Sequence, residues 1–577
     1  MAEVNAGQLL ARTLADAGIR DVFALHGGHL DSFLQGCREA DVRLIDTRHE
    51  ATAVHAAEAY ARTTGRVGVC AVTAGPGFTN AYTGLANAYL DAVPVLVITS
   101  SPPLRETHLN VLQGGFDQVA AAAPVTKWGY RVTHPERVPD LVGLALRTAY
   151  GGRPGPVLLD IPIDVFFTPV DERLATRFTG FSVDRPAPNA AVLEQAVEAL
   201  RRASRPALVL GGGTLFPHCD AEVRRFADMT GIPVYTTGKA WGMLPAEHPS
   251  NCGGVGGLAV LGAVGSPPDL VMLMGARQGL YTGGRSDRVI PGAATLIQVD
   301  IDPAEIGRIR AADVAIAAGC RETLQALIEA PGKWPDWSNW AGEARKAAGL
   351  MEMPFLSTPA QAGDGRLHPF HAAKELFAAV GQDAIITVDG GESGAWASMF
   401  YRSAAPGGVL TNGYLGALGC GFGFAIGTQV AHPERRVVQV VGDGAAGFHL
   451  QELDTMVRHG LPIVTVVFNN TVWGMSIHGQ EMVFGAGAGV ISKLADTDYD
   501  RVAVAFGGYG ERVRNFEDIS GAVERALNAD KAALINLEIS PEVVHPLMEG
   551  MVGPPSTPGE IVIPYYENIP AAGGASG

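Results

Sequence analysis

Short apolar runs alternate with amphipathic helical stretches along most of the chain. In the N-terminal part, residues 21–25, 68–72 and 94–99 have the apolar, β-branched character of buried strands, and residues 50–62 have the periodicity of a helix. Because strands and helices alternate, we expect a parallel sheet that is covered by helices.

The same alternation occurs twice more. A second stretch has a predicted helix at 191–202 and predicted strands at 207–210 and 270–275. The third stretch contains four predicted strands, at 384–388, 437–441, 463–468 and 533–537. We therefore predict an α/β fold with three doubly wound parallel-sheet domains. The expected boundaries are 1–175, 188–330 and 369–545 for the domains, 331–368 for a linker and 546–577 for a C-terminal tail.

Composition and charge narrow the classes of function. The chain has 577 residues and a formal net charge of -16, without a Lys/Arg-rich run, so we expect no nucleic-acid partner. No uninterrupted apolar stretch is as long as a membrane span, and residues 1–20 lack the pattern of a signal peptide. The six cysteines show no Cys-x-x-Cys pair, which is typical of a reducing compartment. We expect a cytoplasmic protein without a membrane partner.

Two polar residues follow neighbouring strands of the third predicted domain. Asp443 stands between Gly442 and Gly444 at the end of one strand, and Asn470 follows the next strand. The carboxyl ends of parallel strands meet at one edge of a sheet, so these oxygen ligands could bind Mg²⁺ beside a diphosphate. The glycines would let backbone N–H groups approach phosphate oxygens.

This pattern resembles the signature of thiamine diphosphate-dependent enzymes: Gly-Asp-Gly, a helical spacer and Asn-Asn. The resemblance covers nearly the whole chain and implies a pyrimidine-binding, a middle and a diphosphate-binding domain. It also implies that Asp443, Asn470 and the main-chain carbonyl of Val472 hold Mg²⁺. Further cofactor contacts implied in this part of the chain are Leu418, Gly442, Gly444, Ala445, Ala446, Trp473, Gly474 and Met475.

A second motif, Arg48-His49-Glu50, starts a predicted helix in the first domain. A glutamate at a helix start is usually a surface partner of the helix dipole. The resemblance instead implies that Glu50 bonds the pyrimidine ring nitrogen and assists deprotonation of the thiazolium carbon. It implies further cofactor contacts in the loop that holds Gly75, Pro76 and Asn80. In the acetolactate synthase branch the site lies between two chains, so a homodimer or homotetramer is expected.

The substrate side resembles benzaldehyde lyase in two loops. His29, which follows Gly28, and Gln113 match residues that contact the reacting hydroxyl and carbonyl there. An imidazole can relay a hydroxyl proton near neutral pH. Two positions depart from that enzyme: Ile163 replaces a tryptophan and Asn412 replaces a histidine, which changes the expected pocket.

A related group, the 2-hydroxyacyl-CoA lyases, would need cations to bind the CoA phosphates. The candidates in the middle domain are Lys239, Arg277, Arg285 and Arg288. The tail beyond residue 546 is a possible lid, as in some of these lyases. Lys493 stands where some of them present a glutamate for proton return.

The leading hypothesis from the sequence is a thiamine diphosphate- and Mg²⁺-dependent carbon–carbon lyase or carboligase. We expect a 2-hydroxyacyl-CoA lyase that gives formyl-CoA and an aldehyde or ketone. The alternatives are an acyloin lyase or carboligase that acts on free aldehydes, and a non-catalytic family member. FAD is not expected, because the flavin-binding pattern at 275–284 is only partly present.

Overall fold

The computed structural model describes residues 3–171, 173, 178, 180, 182–284, 286–552, 560–561 and 569–570. Three parallel sheets of six strands each follow one another along the chain. Helices flank each sheet, so the predicted α/β class with three doubly wound domains is confirmed. Among these residues, no helix has both the length and the apolar character needed to cross a bilayer.

The first domain contains a sheet of order β3-β2-β4-β5-β7-β6. Its strands, with an antiparallel pair formed by β1 and β8, are β1 (Glu3–Asn5), β2 (Asp21–Ala24), β3 (Arg43–Asp46), β4 (Gly68–Val72), β5 (Val95–Ser101), β6 (Trp128–Arg131), β7 (Val157–Pro162) and β8 (Pro169–Asp171). Its helices are α1 (Ala6–Asp16), α2 (Asp31–Glu39), α3 (Glu50–Thr64), α4 (Pro76–Leu90), α5 (Gln118–Ala122), α6 (Val138–Tyr150) and α7 (Ile163–Phe166).

The middle domain has the sheet order β11-β10-β9-β12-β13-β14. The strands are β9 (Pro206–Leu210), β10 (Val234–Thr236), β11 (Asn251–Gly254), β12 (Leu270–Met274), β13 (Thr295–Asp300) and β14 (Val314–Ala317). The helices are α8 (Ala190–Arg202), α9 (Asp220–Thr230), α10 (Gly257–Ala263), α11 (Cys320–Ile328) and α12 (Ser338–Gly349).

The third domain has the sheet order β16-β15-β17-β18-β20-β19. The strands are β15 (Ile385–Asp389), β16 (Val409–Thr411), β17 (Val437–Gly442), β18 (Val464–Asn469), β19 (Tyr509–Val513) and β20 (Ala533–Glu538), followed by the short antiparallel pair β21 (Glu560–Ile561) and β22 (Ile569–Pro570). The helices are α13 (Pro369–Val380), α14 (Glu392–Ser398), α15 (Cys420–Ala431), α16 (Asp443–His449), α17 (Glu452–Arg458), α18 (Gly474–Phe484), α19 (Tyr499–Ala505), α20 (Ile519–Leu527) and α21 (Leu547–Val552).

The central strands are continuous apolar runs because helices cover both faces of a parallel sheet. Every residue of β4, β9 and β20 is buried. Glycines end two of the helices in the left-handed conformation, Gly65 after α3 and Gly231 after α9.

The segment 331–368, expected to be a linker, contains α12. Trp337 and Trp340 anchor this region to the middle domain, where their side chains are buried. The indole N–H groups donate to the carbonyl oxygens of Ala203 (3.0 Å) and Pro206 (2.8 Å), respectively. Part of the proline- and tryptophan-rich segment therefore belongs to the middle-domain core.

The first and third domains share one hydrophobic core. It includes Phe23 and Val54 from the first domain and Phe422 and Val467 from the third. Within it α3 packs along α15, and glycines of α15 allow the close approach. A Cβ atom at Gly427 would lie 2.0 Å from the carbonyl oxygen of Ala56.

Polar groups are also buried at this interface. The Glu58 carboxylate accepts a hydrogen bond from Nδ2 of Asn87 (2.8 Å) and lies 3.5 Å from Nη1 of Arg62. The same Arg62 nitrogen donates to the carbonyl oxygen of Thr411 (3.1 Å). Glu58 and Arg62 both lie in α3, where each compensates the buried charge of the other. The hydrogen bond from Arg62 to Thr411 then links this pair to the third domain.

We predict that Gly427→Ala destabilises the protein by about 1–3 kcal/mol, because the added methyl group would overlap the backbone of α3. Gly342→Ala is the matched control, since Gly342 lies in α12 with no heavy atom within 4 Å of an added Cβ. Thermal unfolding of both variants checks the prediction. Equal melting temperatures would contradict the close packing of α3 on α15.

Candidate active site

Glu50, Asp443 and Asn470, which the sequence predicts as site residues, follow the carboxyl ends of parallel strands. In the first sheet the strand order reverses between β2 and β4, and in the third between β15 and β17. Glu50 begins α3 after β3, Asp443 begins α16 directly after β17, and Asn470 follows β18. Ligands of doubly wound sheets bind at such reversal points, so the positions suit a ligand site.

Asp443 is buried, and backbone N–H groups surround its carboxylate. Oδ1 accepts a hydrogen bond from the N–H of Gly444 (2.9 Å) and Oδ2 from the N–H of Thr471 (2.7 Å). Burial raises the pKa of Asp443 to about 7, although these hydrogen bonds act in the opposite direction. A cation beside the carboxylate would favour its charged form.

The turn after β18 is strained. Thr471 has a φ of 61°, a conformation that β-branched residues rarely adopt. Its hydroxyl donates to the carbonyl oxygen of Asn470 (2.6 Å), and Oδ1 of Asn470 accepts from the N–H of Val472 (3.2 Å). Such strain is common at functional sites. Thr471 was not among the residues that the sequence indicated.

A second segment supports this turn. Val472 pairs in an antiparallel bridge with Lys493, and the N–H of Leu494 donates to the carbonyl oxygen of Thr471 (2.7 Å). Lys493 therefore lies beside the loop that holds Asn470, with an exposed side chain.

Several glycines near the turn allow neighbouring side chains to approach the backbone closely, with no room for a Cβ atom. A Cβ atom at Gly444 would lie 2.6 Å from the indole of Trp473, and one at Gly391 would lie 3.1 Å from Sδ of Met475. At Gly474, the first residue of α18, a Cβ atom would lie 2.7 Å from a carboxylate oxygen of Glu392.

The donor set fits Mg²⁺. It combines the buried carboxylate of Asp443, the side chain of Asn470 and the main chain of Val472 in one loop region. Mg²⁺ prefers such hard oxygen ligands, often one or two carboxylates together with phosphate oxygens. The residues present are thus suitable for a metal-bound diphosphate.

The remaining residues predicted to contact the cofactor in this domain lie around the same strand end. Gly442 ends β17, Ala445 and Ala446 are buried in α16, and Leu418 is half-buried against the core shared with the first domain.

Glu50 is buried at the start of α3. Its Oε2 accepts a hydrogen bond from Nδ2 of Asn80 (3.0 Å), and a Cβ atom at Gly77 would lie 3.6 Å from its Oε1. The side chain of His49 caps the helix by accepting from the N–H of Ala51 (3.1 Å). The first domain therefore brings Glu50 and the predicted loop of Gly75, Pro76 and Asn80 together, with Pro76 as the first residue of α4.

The Gly75 loop is held by a residue that the sequence did not indicate. Gln118 is buried, accepts a hydrogen bond from the N–H of Gly75 (2.8 Å) and donates to the carbonyl oxygen of Ser100 (2.8 Å). Gly75 has a φ of 63°, and a Cβ atom there would lie 3.0 Å from Cβ of Gln113. The structure thus places Gln113 against this loop.

Gln113 has a buried oxygen without a hydrogen-bond partner among the described residues, and His29 is partly buried. His29 follows the exposed Gly28 in a short turn after β2, and partial burial lowers its pKa, so its neutral form is favoured. Gln113 has a φ of 61°, and its buried Oε1 has no hydrogen-bond partner among the described residues. Ile163 is half-buried at the start of α7.

Two of the four cations that the sequence predicts to bind CoA phosphates lie where the middle domain meets the first. A cleft at the reversal point of the middle sheet is lined by Lys239, Arg277 and Asn412. Lys239 contacts the main chain of Asp91 at the end of α4 and lies 3.5 Å from its carboxylate, while burial lowers the pKa of this lysine to about 8. Nη2 of Arg277 donates to the carbonyl oxygen of Leu90 (2.6 Å).

Both cations therefore join the middle domain to the first. The guanidinium of Arg277 also lies 4.2 Å from the ring centre of Tyr414, close to Asn412 in sequence. Arg288 is exposed, and Arg285 lies outside the described residues.

Comparison with known proteins agrees with this geometry. Residues 4–121 match the family described as thiamine pyrophosphate enzyme, N-terminal TPP binding domain. Residues 193–327 match the central domain and residues 389–537 the C-terminal TPP binding domain of the same enzymes. The matches follow the order of the three sheets.

Relatives cover almost the full chain. The acetolactate synthase large subunit IlvG of Mycobacterium tuberculosis is 34% identical over 552 residues, which are 94% of this chain and 97% of that protein. Acetolactate synthase isozyme 2 large subunit of Escherichia coli is 32% identical over 549 residues, with 94% and 97% covered. A probable acetolactate synthase large subunit of Methanocaldococcus jannaschii is 29% identical over 562 residues, with 94% and 93% covered.

The three matched domains and these near full-length relatives confirm the resemblance drawn from the Gly-Asp-Gly and Arg-His-Glu motifs. The chain belongs to the family of thiamine diphosphate-dependent enzymes, which includes the acetolactate synthases.

Proposed function

We propose that the protein makes or breaks a carbon–carbon bond beside a hydroxylated carbon, with thiamine diphosphate and Mg²⁺. The observation that carries this proposal is the pair of half-sites at the sheet reversal points. One half-site holds a buried glutamate, Glu50, and the other holds the oxygen donors of Asp443 and Asn470. When bound, thiamine diphosphate supplies a nucleophilic carbon that adds to carbonyls and accommodates the electron pair of the broken bond.

The chain's own residues take distinct roles in this proposal. Asp443, Asn470 and the main-chain carbonyl of Val472 would hold Mg²⁺ and thereby the diphosphate. Glu50 would share a proton with the pyrimidine, since its buried carboxylate is shielded from water. The neutral imidazole of His29 would accept the substrate hydroxyl proton, and the amide of Gln113 would orient the oxygen.

A homodimer or homotetramer is part of the proposal. Glu50 and Asp443 begin different helices in different domains, and we propose that a second copy supplies the complementary half-site. All six cysteines are free and buried. This supports our proposal that the protein works in a reducing compartment such as the cytoplasm.

For the substrate, we favour free 2-oxo acids, aldehydes and acyloins. Lys239 and Arg277 are engaged by Asp91 and Leu90, which leaves fewer cations for the CoA phosphates. The relatives that are named acetolactate synthases agree with carboligation.

A 2-hydroxyacyl-CoA lyase that gives formyl-CoA is the second candidate. It is favoured by the packing of α21, in the possible lid, on α18, whose first residue is Gly474. For either reaction we propose that no FAD is required, which an absorption spectrum of the purified protein checks.

A product panel tests the function. Purified protein with thiamine diphosphate and Mg²⁺ is incubated with 2-oxo acids, aldehydes, acyloins and 2-hydroxyacyl-CoA esters. We expect cofactor-dependent formation or cleavage of acyloins, with formyl-CoA released only if the second candidate is correct. Binding of the cofactor without turnover of any of these classes would contradict the proposal.

Glu50→Gln should slow proton exchange at the thiazolium carbon of the cofactor by orders of magnitude, because an amide cannot share the proton in the same way. Proton NMR of the quenched complex in D₂O measures this rate. Cofactor affinity and the melting temperature serve as controls and should remain near those of the wild type. An unchanged exchange rate would refute the role of Glu50.

Asp443→Asn should weaken Mg²⁺-dependent binding of thiamine diphosphate at least about tenfold, since it removes the charged metal ligand. Calorimetric titration with and without Mg²⁺ measures the effect. Asp530→Asn, at an exposed position of the same domain, is the control and should bind normally. Equal affinities for the two variants would rule out Asp443 as a ligand.

A further inference from the structure

Helix α17 of the diphosphate-binding domain holds the chain segment immediately before Glu50. We propose that Glu452, the first residue of α17, is a positioning residue that fixes the start of α3 and so directs the Glu50 side chain. This inference rests on the role proposed for Glu50. It adds a residue from the third domain, more than 400 positions away in sequence, to the machinery that presents that glutamate.

The Glu452 side chain is fully buried, and its oxygens have defined partners. Oε1 and Oε2 lie 3.1 and 3.0 Å from the backbone nitrogen of Arg48, whose N–H donates to the carboxylate. The hydroxyl of Thr455 donates to Oε2 (2.6 Å) and orients the carboxylate from within α17.

A carboxylate is well suited to this place. The first N–H groups of a helix and the groups just before it lack partners within the helix. Here the side chain of His49 accepts from the N–H of Ala51, and Glu452 accepts from the N–H of Arg48, so the N–H groups of residues on both sides of Glu50 in sequence have acceptors. A carboxylate accepts without donating, and its negative charge is favourable at a helix N-terminus.

Further contacts tie α17 to the same segment. Nη1 of Arg458 lies 2.9 and 2.8 Å from the two carboxylate oxygens of Asp46, and Nε2 of His459 lies 2.8 Å from Oδ1 of Asp46. These groups are partly exposed, whereas Glu452 is not. The buried contact thus holds the backbone of Arg48, two residues before Glu50, and the outer contacts hold Asp46 at the end of β3.

The rings of His49 and His449 add a contact between the two domains, with their centres 5.0 Å apart. His449 is the last residue of α16, the helix that Asp443 begins. Residues on both sides of the α16–α17 corner therefore contact the segment 46–49.

Loss of the Glu452 contact should displace Glu50 without removing it. Displacements of about 1 Å in a catalytic group can reduce rates about 100-fold. A contact that only joins the domains would instead lower stability and leave the Glu50-dependent step unchanged. The two roles therefore differ in a measurable way.

The test uses Glu452→Ala, with Glu452→Gln as a second variant that retains one acceptor oxygen if the alanine variant does not fold. The first readout is hydrogen–deuterium exchange of the backbone amides at 48–52 in the cofactor-free protein. The second is proton exchange at the thiazolium carbon of added thiamine diphosphate with Mg²⁺. Asp454→Asn is the matched control, because Asp454 lies on the same helix but among the described residues its carboxylate contacts side chains, Arg458 at 2.7 Å and Arg48 at 3.8 Å, and not the backbone before Glu50.

We expect faster amide exchange at 48–52 and thiazolium proton exchange about 10- to 100-fold slower in the Glu452 variants, with cofactor affinity little changed. The control should behave as the wild type. In the double variant with Glu50→Gln, proton exchange should be no slower than with Glu50→Gln alone, because Glu452 acts through Glu50.

Wild-type thiazolium exchange in a folded Glu452 variant would overturn the proposal, and so would an additive loss in the double variant. The proposed function fails separately, if the wild-type protein does not bind or activate the cofactor. In that event, unchanged amide exchange at 48–52 in the variants would overturn the positioning contact, and faster exchange would uphold it.

Discussion

The close packing of α3 against α15 is the constraint on which the rest of the structure depends. It is possible because glycines of α15 admit the backbone of α3, with no room for a methyl group at Gly427. The contact merges the cores of the first and third domains and buries the Glu58 and Arg62 pair between them. The start of α3, where Glu50 lies, is thereby brought within reach of α17 and Glu452.

The site itself is built from strand ends and needs few specialised residues. Doubly wound sheets leave space where the strand order reverses, and each half-site uses that space with one buried acid, Glu50 or Asp443. The carboxylate of Asp443 accepts hydrogen bonds from the backbone N–H groups of Gly444 and Thr471, and such a buried carboxylate suits a divalent metal ion. The backbone strain at Thr471 and the close contact of Gly75 with Gln113 show that the two loops are tightly constrained.

Sequence reasoning predicted the features that depend on local order. The alternation of apolar runs and helices predicted three parallel sheets, and the spacing between Asp443 and Asn470 placed both at adjacent strand ends. Features that depend on distant partners could not be predicted. No motif marks Gln118 in the sequence, and its role follows from its contact with Gly75 in the fold. Glu452 likewise resembles other glutamates at helix starts, and only its contact with Arg48 distinguishes it.

Partners that are distant in sequence also explain why some predicted residues have surroundings that differ from expectation. The sequence predicts Lys239 and Arg277 as cations for phosphates, but it does not show that the end of α4 binds both side chains. The prolines and glycines around Trp337 and Trp340 favour a linker. The sequence does not show that both indoles are buried in the middle domain.

The central claim is that two half-sites from different domains assemble around one metal-bound cofactor. A crystal structure of the protein with thiamine diphosphate and Mg²⁺ tests it most directly. The account predicts Mg²⁺ about 2.1 Å from oxygens of Asp443, Asn470 and Val472, with a Glu50 carboxylate hydrogen-bonded to the pyrimidine ring. A metal bound elsewhere, or a pyrimidine that no Glu50 reaches, would contradict it.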